Sequence, residues 1–390
     1  MNIKFDVVHI SKRDIAPIIV LIFLTLFSRL LLILNAPVVY YVDSYTYINK
    51  AIDLYSHRGI QFEVGIPFVI CLSSLFFIFG SSFGAIMISR FFMLFLTTLI
   101  ICIIYLFGLK MSCKLFGLVA AILAIFEPFF LTYSIVPHND VFAIALGLLA
   151  LYFITYKNSK VYDVISLILF YIVSFTRPEF YVVLIFPILY YYYTKHLKNV
   201  LVQNMIQPIF FCSLFFIPGI WVSSTYLTRF DIIEKFSLFL TPDLFQSTLN
   251  FLFKFYDQAL LNRIFITLVA LGIGCALLNT LKKIFIFEKR NMSFFVKCNH
   301  NPSYKEIFFS DRVTIAICLF LISIIHIIIL TVSGYGYTIV DDILIINKYL
   351  PERYVILNRL LLSYPLAYIL TLTMQRLKRN TINIYLFNKS

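Results

Sequence analysis

The sequence predicts an all-α polytopic membrane protein of about ten transmembrane helices, with one further helix lying along the outer interface. Three observations carry this reading. Hydrophobic residues make up 61% of the 390 residues and charged residues only 13%, against roughly 25% charged in an average soluble domain; the mean hydropathy is +0.92. The apolar runs are long and continuous, whereas barrel strands would alternate, and a helix satisfies its own backbone in lipid. Basic residues gather in alternate connections, the asymmetry that places such loops in the cytoplasm. The same distribution argues against nucleic acid as the partner of the +13 net charge. Since spans fill the chain, residues 1–390 read as a single transmembrane domain, and soluble-domain sizes have no bearing.

Residues 1–14 carry Lys4, Lys12 and Arg13, which puts the N-terminus in the cytoplasm. Span one, Ile15–Leu34, is long enough to stay as an anchor rather than be cleaved as a leader. Arg29 near its outer end reads as snorkelling to headgroups. An enlarged first outer loop, 36–82, follows, and it carries Asp43, Lys50, Asp53, His57, Arg58 and Glu63. Asp43, Tyr47 and Ala51 stand four apart on one face of a helix-like run, which Asp43 or Ser44 can cap.

The apolar run Ile66–Phe79 has fourteen residues, short of the ~20 that a span needs. Were it to cross, Lys110 and Lys114 would lie outside, so it is predicted as an interfacial or re-entrant helix. Span two is then about Phe83–Leu109. The remaining spans are about 115–133, 140–156, 161–176, 179–194, 205–227, 259–281, 313–333 and 354–374, and both termini are cytoplasmic. Inner connections collect Lys157 and Lys160, Lys195 and Lys198, the basic loop 282–312, and Arg376, Lys378 and Arg379. That basic loop reads as solvated and drawn to anionic lipid. The outer loop 228–258 is apolar in places (Phe236, Leu238, Phe239), as surface-lying helices are. Seven cysteines are scattered without a CxxC and read as small core residues, not as a zinc site or disulfide framework. The expected location is a multi-pass place in the plasma membrane, with the site on the outer face.

Ionisable residues at or within spans are the functional candidates. Four clusters share the outer side: Asp43, Tyr47, His57 and Arg58; Glu127-Pro128 through Ser134 to His138-Asn139-Asp140; Thr176-Arg177-Pro178-Glu179; and Pro351-Glu352-Arg353-Tyr354. Each has a plainer reading. Asp43 and Asp140 can be helix caps, Arg177 and Arg353 can reach lipid phosphates, and His138 can be an interfacial side chain. Arg90, one turn into span two, and Glu127, inside span three, are costly without partners. They are expected to pair with other charges or line a polar cavity.

From Arg29 to about Tyr156 the order of these features resembles the C-type glycosyltransferase (GT-C) superfamily, nearest to the protein O-mannosyltransferases and the lipid A aminoarabinose transferases. An Arg near the end of span one precedes an outer-loop pattern Asp-Ser-x-x-Tyr-x-x-x-Ala, here Arg29, Asp43, Ser44, Tyr47 and Ala51. Gly65-Ile66-Pro67, Phe79-Gly80 and Arg90 match the interfacial segment and the early Arg of the next span. Pro128 and Asp140 match a Pro in span three and an Asp opening span four, and Arg353-Tyr354 match a late Arg-Tyr. Where several relatives have Lys-Pro-Pro, with the Lys on the donor phosphate, this chain has Gly65-Ile66-Pro67.

The resemblance implies transfer of a sugar from a polyprenyl-phosphate donor to a protein, lipid or glycan acceptor on the non-cytoplasmic face. It implies Asp43 as general base. Tyr47, Arg90, Asp140, Arg353 and Tyr354 of the matched pattern, with His138 and Arg177 of the outer-side clusters, are the expected substrate-binding residues, and a divalent cation (Mg or Mn) shared by Asp43 and Asp140 would fit a family whose members differ in metal use. The chemistry agrees, since a carboxylate can take the proton of an acceptor hydroxyl and arginines at span ends suit a lipid phosphate. The alternative is a transporter or lipid flippase with a charged cavity, for which inverted repeats and midplane charges would speak. A non-catalytic assembly subunit on the same fold is a third reading.

Overall fold

The computed structural model describes residues 12–35, 42–58, 65–80, 84–155, 160–177, 337–340, 343–346 and 356–371, with isolated helical positions at 180, 184, 188, 319, 322, 373 and 374. The expected spans 179–194, 205–227, 259–281 and 313–333 lie outside the described residues apart from those single positions. The loops 228–258 and 282–312, and Arg353-Tyr354, also lie outside them.

Helix α1, Lys12–Asn35, has two unlike faces. Leu21, Thr25, Arg29 and Ile33 recur every fourth residue and are buried, while Phe23, Phe27 and Leu34 are exposed. That apolar exposed face suits lipid rather than water. Helix α2, Val42–Tyr55, occupies the first loop and packs on α3, Ile66–Phe79. The predicted bounds of α3 agree with the structure. Helix α4, Ala85–Met111, and the Ile15–Leu34 part of α1 are the two described helices long and apolar enough to cross a membrane.

Span three departs from expectation. It is not one helix but two, α5 (Lys114–Ile125) and α6 (Pro128–Tyr133). Pro128 cannot supply the N–H that a continuous helix would need, and its ring clashes with the preceding turn. It therefore opens a new helix, capped by the Glu127 side chain, which accepts from Phe130 N at 2.6 Å. Helices α7 (Asn139–Ile154) and α8 (Lys160–Thr176) follow, close to the expected 140–156 and 161–176. The last described helix, α9, begins with Ile356–Leu361 and lies in an apolar helical stretch reaching Thr371. Beside the described helices lies a short two-stranded ladder. Tyr337–Val340 (β1) pairs antiparallel with Ile343–Ile346 (β2), with Val340 opposite Ile343. The β-branched content of both strands favours this.

Helix α4 is the central partner of the described bundle, against α1, α5 and α7. Its approach to α5 depends on two glycines, because a Cβ on Gly108 would lie 2.5 Å from Gly117 Cα. The bundle's far end is marked by Lys110, whose Nζ donates to Thr155 Oγ1 at 2.5 Å and sits 4.4 Å over the Tyr152 ring. At the near end Gly65 N donates to Phe175 O at 3.3 Å. Helix α3 thus starts beside the end of α8 and runs toward the start of α4, covering about 21 Å at 1.5 Å per residue. A helix whose two ends lie at one end of the bundle lies across it.

Candidate functional site

The near end of the bundle assembles from three chain segments. The end of α8 leaves carbonyl groups that its own helix cannot satisfy. Gly65 N takes Phe175 O, and Asn139 Nδ2 donates to Thr176 O at 3.3 Å. Gly65 adopts φ +90°, and a Cβ there would stand 2.8 Å from Tyr47 Cε1 and 3.2 Å from Asn139 Nδ2. Only glycine fits a left-handed turn pressed between α2 and α7. The α8 end, α3 start and α7 start are thereby pinned together.

On this platform stands a buried charged trio. Asp140 lies in the first turn of α7, where the helix dipole favours a carboxylate, and is 4% exposed. A carboxylate so buried needs partners. Arg177, just past α8, pairs its Nη2 with Asp140 Oδ1, and His138 Nδ1 lies 2.8 Å from Asp140 Oδ2. His138 is also the N-cap of α7, its Nδ1 being 3.3 Å from Asp140 N. One nitrogen cannot serve both contacts. The shorter one faces an anion, so the proton belongs on Nδ1, donated to the carboxylate. Tyr47 of α2 meets the imidazole edge-on, with ring centroids 5.6 Å apart, and meets Phe68 of α3 at the same distance.

Of the sequence-predicted residues, the structure brings together Tyr47, His138, Asp140 and Arg177. Asp43 enters α2 as its second residue, one turn before Tyr47, so it falls within the first turn rather than at the N-cap. Ser44 is wholly buried, and its Oγ makes no hydrogen bond among the described residues; it does not cap the helix. His57 and Arg58 are not part of the assembly. They lie exposed past the other end of α2, where Arg58 reaches Asp53 at 3.6 Å. Arg90 is buried in α4 and has no ion pair or hydrogen bond among the described residues. Arg353 and Tyr354 lie outside the described residues.

The side chain of Asp43, one of the two carboxylates expected to share a divalent cation, lies outside the described residues. Among the described residues no three His, Cys, Asp or Glu side chains group together. A guanidinium and an imidazole N–H already face the two oxygens of Asp140, and a cation would have to displace them.

A second buried cluster joins α1, the α5–α6 break and α9. Glu127 Oε1 receives Arg359 Nε at 2.5 Å, and its charge acts on Arg29. Arg29 does not snorkel, contrary to the expectation. It is wholly buried, donating to Ser134 Oγ at 3.2 Å and to Ile125 O at 2.6 Å, with its Cζ 5.3 Å from the Phe130 ring centroid. The carbonyl it satisfies was freed by the helix break. Glu127 does pair with other charges, as expected.

Sequence reasoning passed over Arg359 and the packing role of Gly65, and it named Asn139 within a cluster without a role of its own. The signal for Arg359 was present, since the rule that singled out Arg90 and Glu127 applies to any arginine inside an apolar run. Asn139 carried no such signal. Its use depends on a carbonyl 37 residues away. Comparison of the chain with protein-family models, curated proteins and solved structures found no match.

Proposed function

We propose that the chain is a multi-pass membrane glycosyltransferase of the GT-C type. In this reading about ten spans carry a site on the outer face, where a sugar passes from a polyprenyl-phosphate donor to a protein, lipid or glycan acceptor. The observation that carries the proposal is the meeting of Tyr47, His138, Asp140 and Arg177 at the end of the bundle from which α2, bearing Asp43, projects. Tyr47 and Asp140, which the resemblance matched, share one place with His138 and Arg177, which the outer-side clusters had singled out. The chemistry then assigns the acceptor's proton to Asp43 as general base. Arg177 and Arg90 supply positive charge for the departing lipid phosphate. In this reading closure of the first loop over the substrates would exclude water and limit loss of the sugar to hydrolysis.

One observation favours the rival. The α5–α6 break, with Glu127 between Arg29 and Arg359, has the form of a discontinuous helix at a transporter's binding site. Against it, Glu127 caps α6 and Arg29 satisfies α5, so the break is closed by its own side chains.

A transfer assay with purified protein and a panel of labelled polyprenyl-phosphate sugars tests the proposal. Asp43→Asn keeps size and helix-end preference but cannot accept a proton. Turnover of folded, donor-binding Asp43→Asn is expected to fall by roughly 10²–10⁴. Near-normal turnover would remove Asp43 as the base. Sugar flux across proteoliposomes without any transfer would favour the transporter.

A further inference from the structure

The connection from α6 to α7 is buried along its whole length, from Ser134 to His138. Connections ordinarily run over a protein's surface, where water satisfies their backbone. This one is held from within. Arg29 donates from Nε to Ser134 Oγ at 3.2 Å, and Thr97 of α4 donates from Oγ1 to Ser134 O at 3.2 Å. One turn on from Arg29, Ile33 packs with Ile135 and Val136. Helix α1 thus grips the connection twice on one face, since residues four apart lie together.

The connection has little slack. Val136 N donates to Tyr133 O at 3.1 Å. Pro137 has its φ fixed by its ring and restricts the backbone of Val136 before it. The next residue, His138, caps α7 and contacts Asp140. A shift at Ser134 is therefore passed along to His138 instead of being absorbed on the way.

We infer that Arg29 is a positioning residue for the near-end site: through Ser134 it sets where the start of α7 holds His138 and Asp140. A guanidinium suits the task because its donors form a rigid fork. Nε holds Ser134 beyond the helix break, while Nη1 donates to Ile125 O before it at 2.6 Å. One side chain thereby fixes the end of α5 and the start of the connection relative to each other. A lysine ammonium, a point charge on a flexible stem, lacks that fork. The functional weight of this inference rests on the reading of the near-end site proposed above.

The test follows His138 directly, in the full chain in nanodiscs. Arg29→Lys keeps the charge beside Glu127 and removes the fork. Ser134→Ala removes the acceptor, leaves Arg29 in place, and carries the test alone should Arg29→Lys fail to fold. The readout is the rate at which diethyl pyrocarbonate modifies His138 at constant pH, assigned by peptide mass spectrometry. His138 is 6% exposed, so its reaction follows local opening. Each variant is expected to speed it about fivefold, the worth of one ordinary hydrogen bond. The double variant should be no faster than either single one, because both act through the same bond. His57, exposed past the far end of α2, should react at the wild-type rate throughout. Tyr364→Phe is the control for general loosening. It loses a buried hydrogen bond to Ile104 O at 3.0 Å, two turns along α4 from Thr97, and should leave the His138 rate unchanged. Unchanged His138 rates in Arg29→Lys and Ser134→Ala, multiplying effects in the double variant, or an equal rise in Tyr364→Phe each overturn the inference. Where transfer is found, donor KM should rise in both variants, and an unchanged KM would reduce Arg29 to holding the fold. If transfer is found while His138 ignores both substitutions, the transferase reading survives without this inference. If His138 responds as expected and no donor gives transfer, the coupling of Arg29 to His138 stands and the transferase reading falls.

Discussion

Glu127 does three things with one carboxylate. It caps α6, pairs with Arg359 and compensates the charge of Arg29. Removing one member of a buried ion pair leaves the other uncompensated, at a cost of about 3–5 kcal/mol. Glu127→Ala is therefore expected to lower stability by that order, read as a shift of the unfolding midpoint in detergent. Glu127→Gln keeps the capping oxygen and should lose less. Equal stability of Glu127→Ala and wild type would mean that the arginines find other partners. The Asp140–Arg177 pair is subject to the same physics.

At the scale of the element, α3 shows how one backbone residue organises a site. One face of it is buried through Phe68, Val69, Leu72 and Phe76, whereas Phe77, Ile78 and Phe79 at its end are exposed. What fixes its start is Gly65. An alanine there meets both a left-handed backbone, costing about 1–2 kcal/mol, and the Tyr47 ring 2.8 Å away. Gly65→Ala should thus destabilise the protein by more than the backbone term and push Tyr47 from His138. Gly65→Ala combined with Tyr47→Ala keeps the backbone strain and removes the ring contact. Unfolding midpoints of the two single variants and of the pair measure the coupling. If the two effects simply add, the crowding of Gly65 against Tyr47 is not real.

For the whole molecule, the prediction is sidedness. With native cysteines replaced, Ser112→Cys and a cysteine in the 282–312 loop should react with an impermeant maleimide only after the membrane is opened. Cysteines at 235 and 345 should react in intact cells. Labelling of residue 112 from outside would mean that Ile66–Phe79 crosses the membrane, and the proposed site would change sides. Helix α3 begins beside the end of α8 and precedes the start of α4.

The sequence by itself determined the helical class, the bounds of α3 and the approximate extents of α1, α4, α7 and α8. Apolar run length and flanking charge act locally, so they can be read residue by residue. The helix break before Pro128 was also legible in principle, since proline's missing N–H is a local fact. Tertiary structure decided which charges meet. Arg29 was read as a headgroup ligand because its neighbours in sequence are apolar. It is instead a buried donor, because folding brings Ser134 and Ile125 to it from about a hundred residues away. Arg359 reaches Glu127 across 232 positions, and Asp140 takes its partner from the end of the next helix. Burial removes the water that would otherwise solvate each of these charges. Their partners are therefore set by what the fold brings within hydrogen-bond distance, which no stretch of sequence displays.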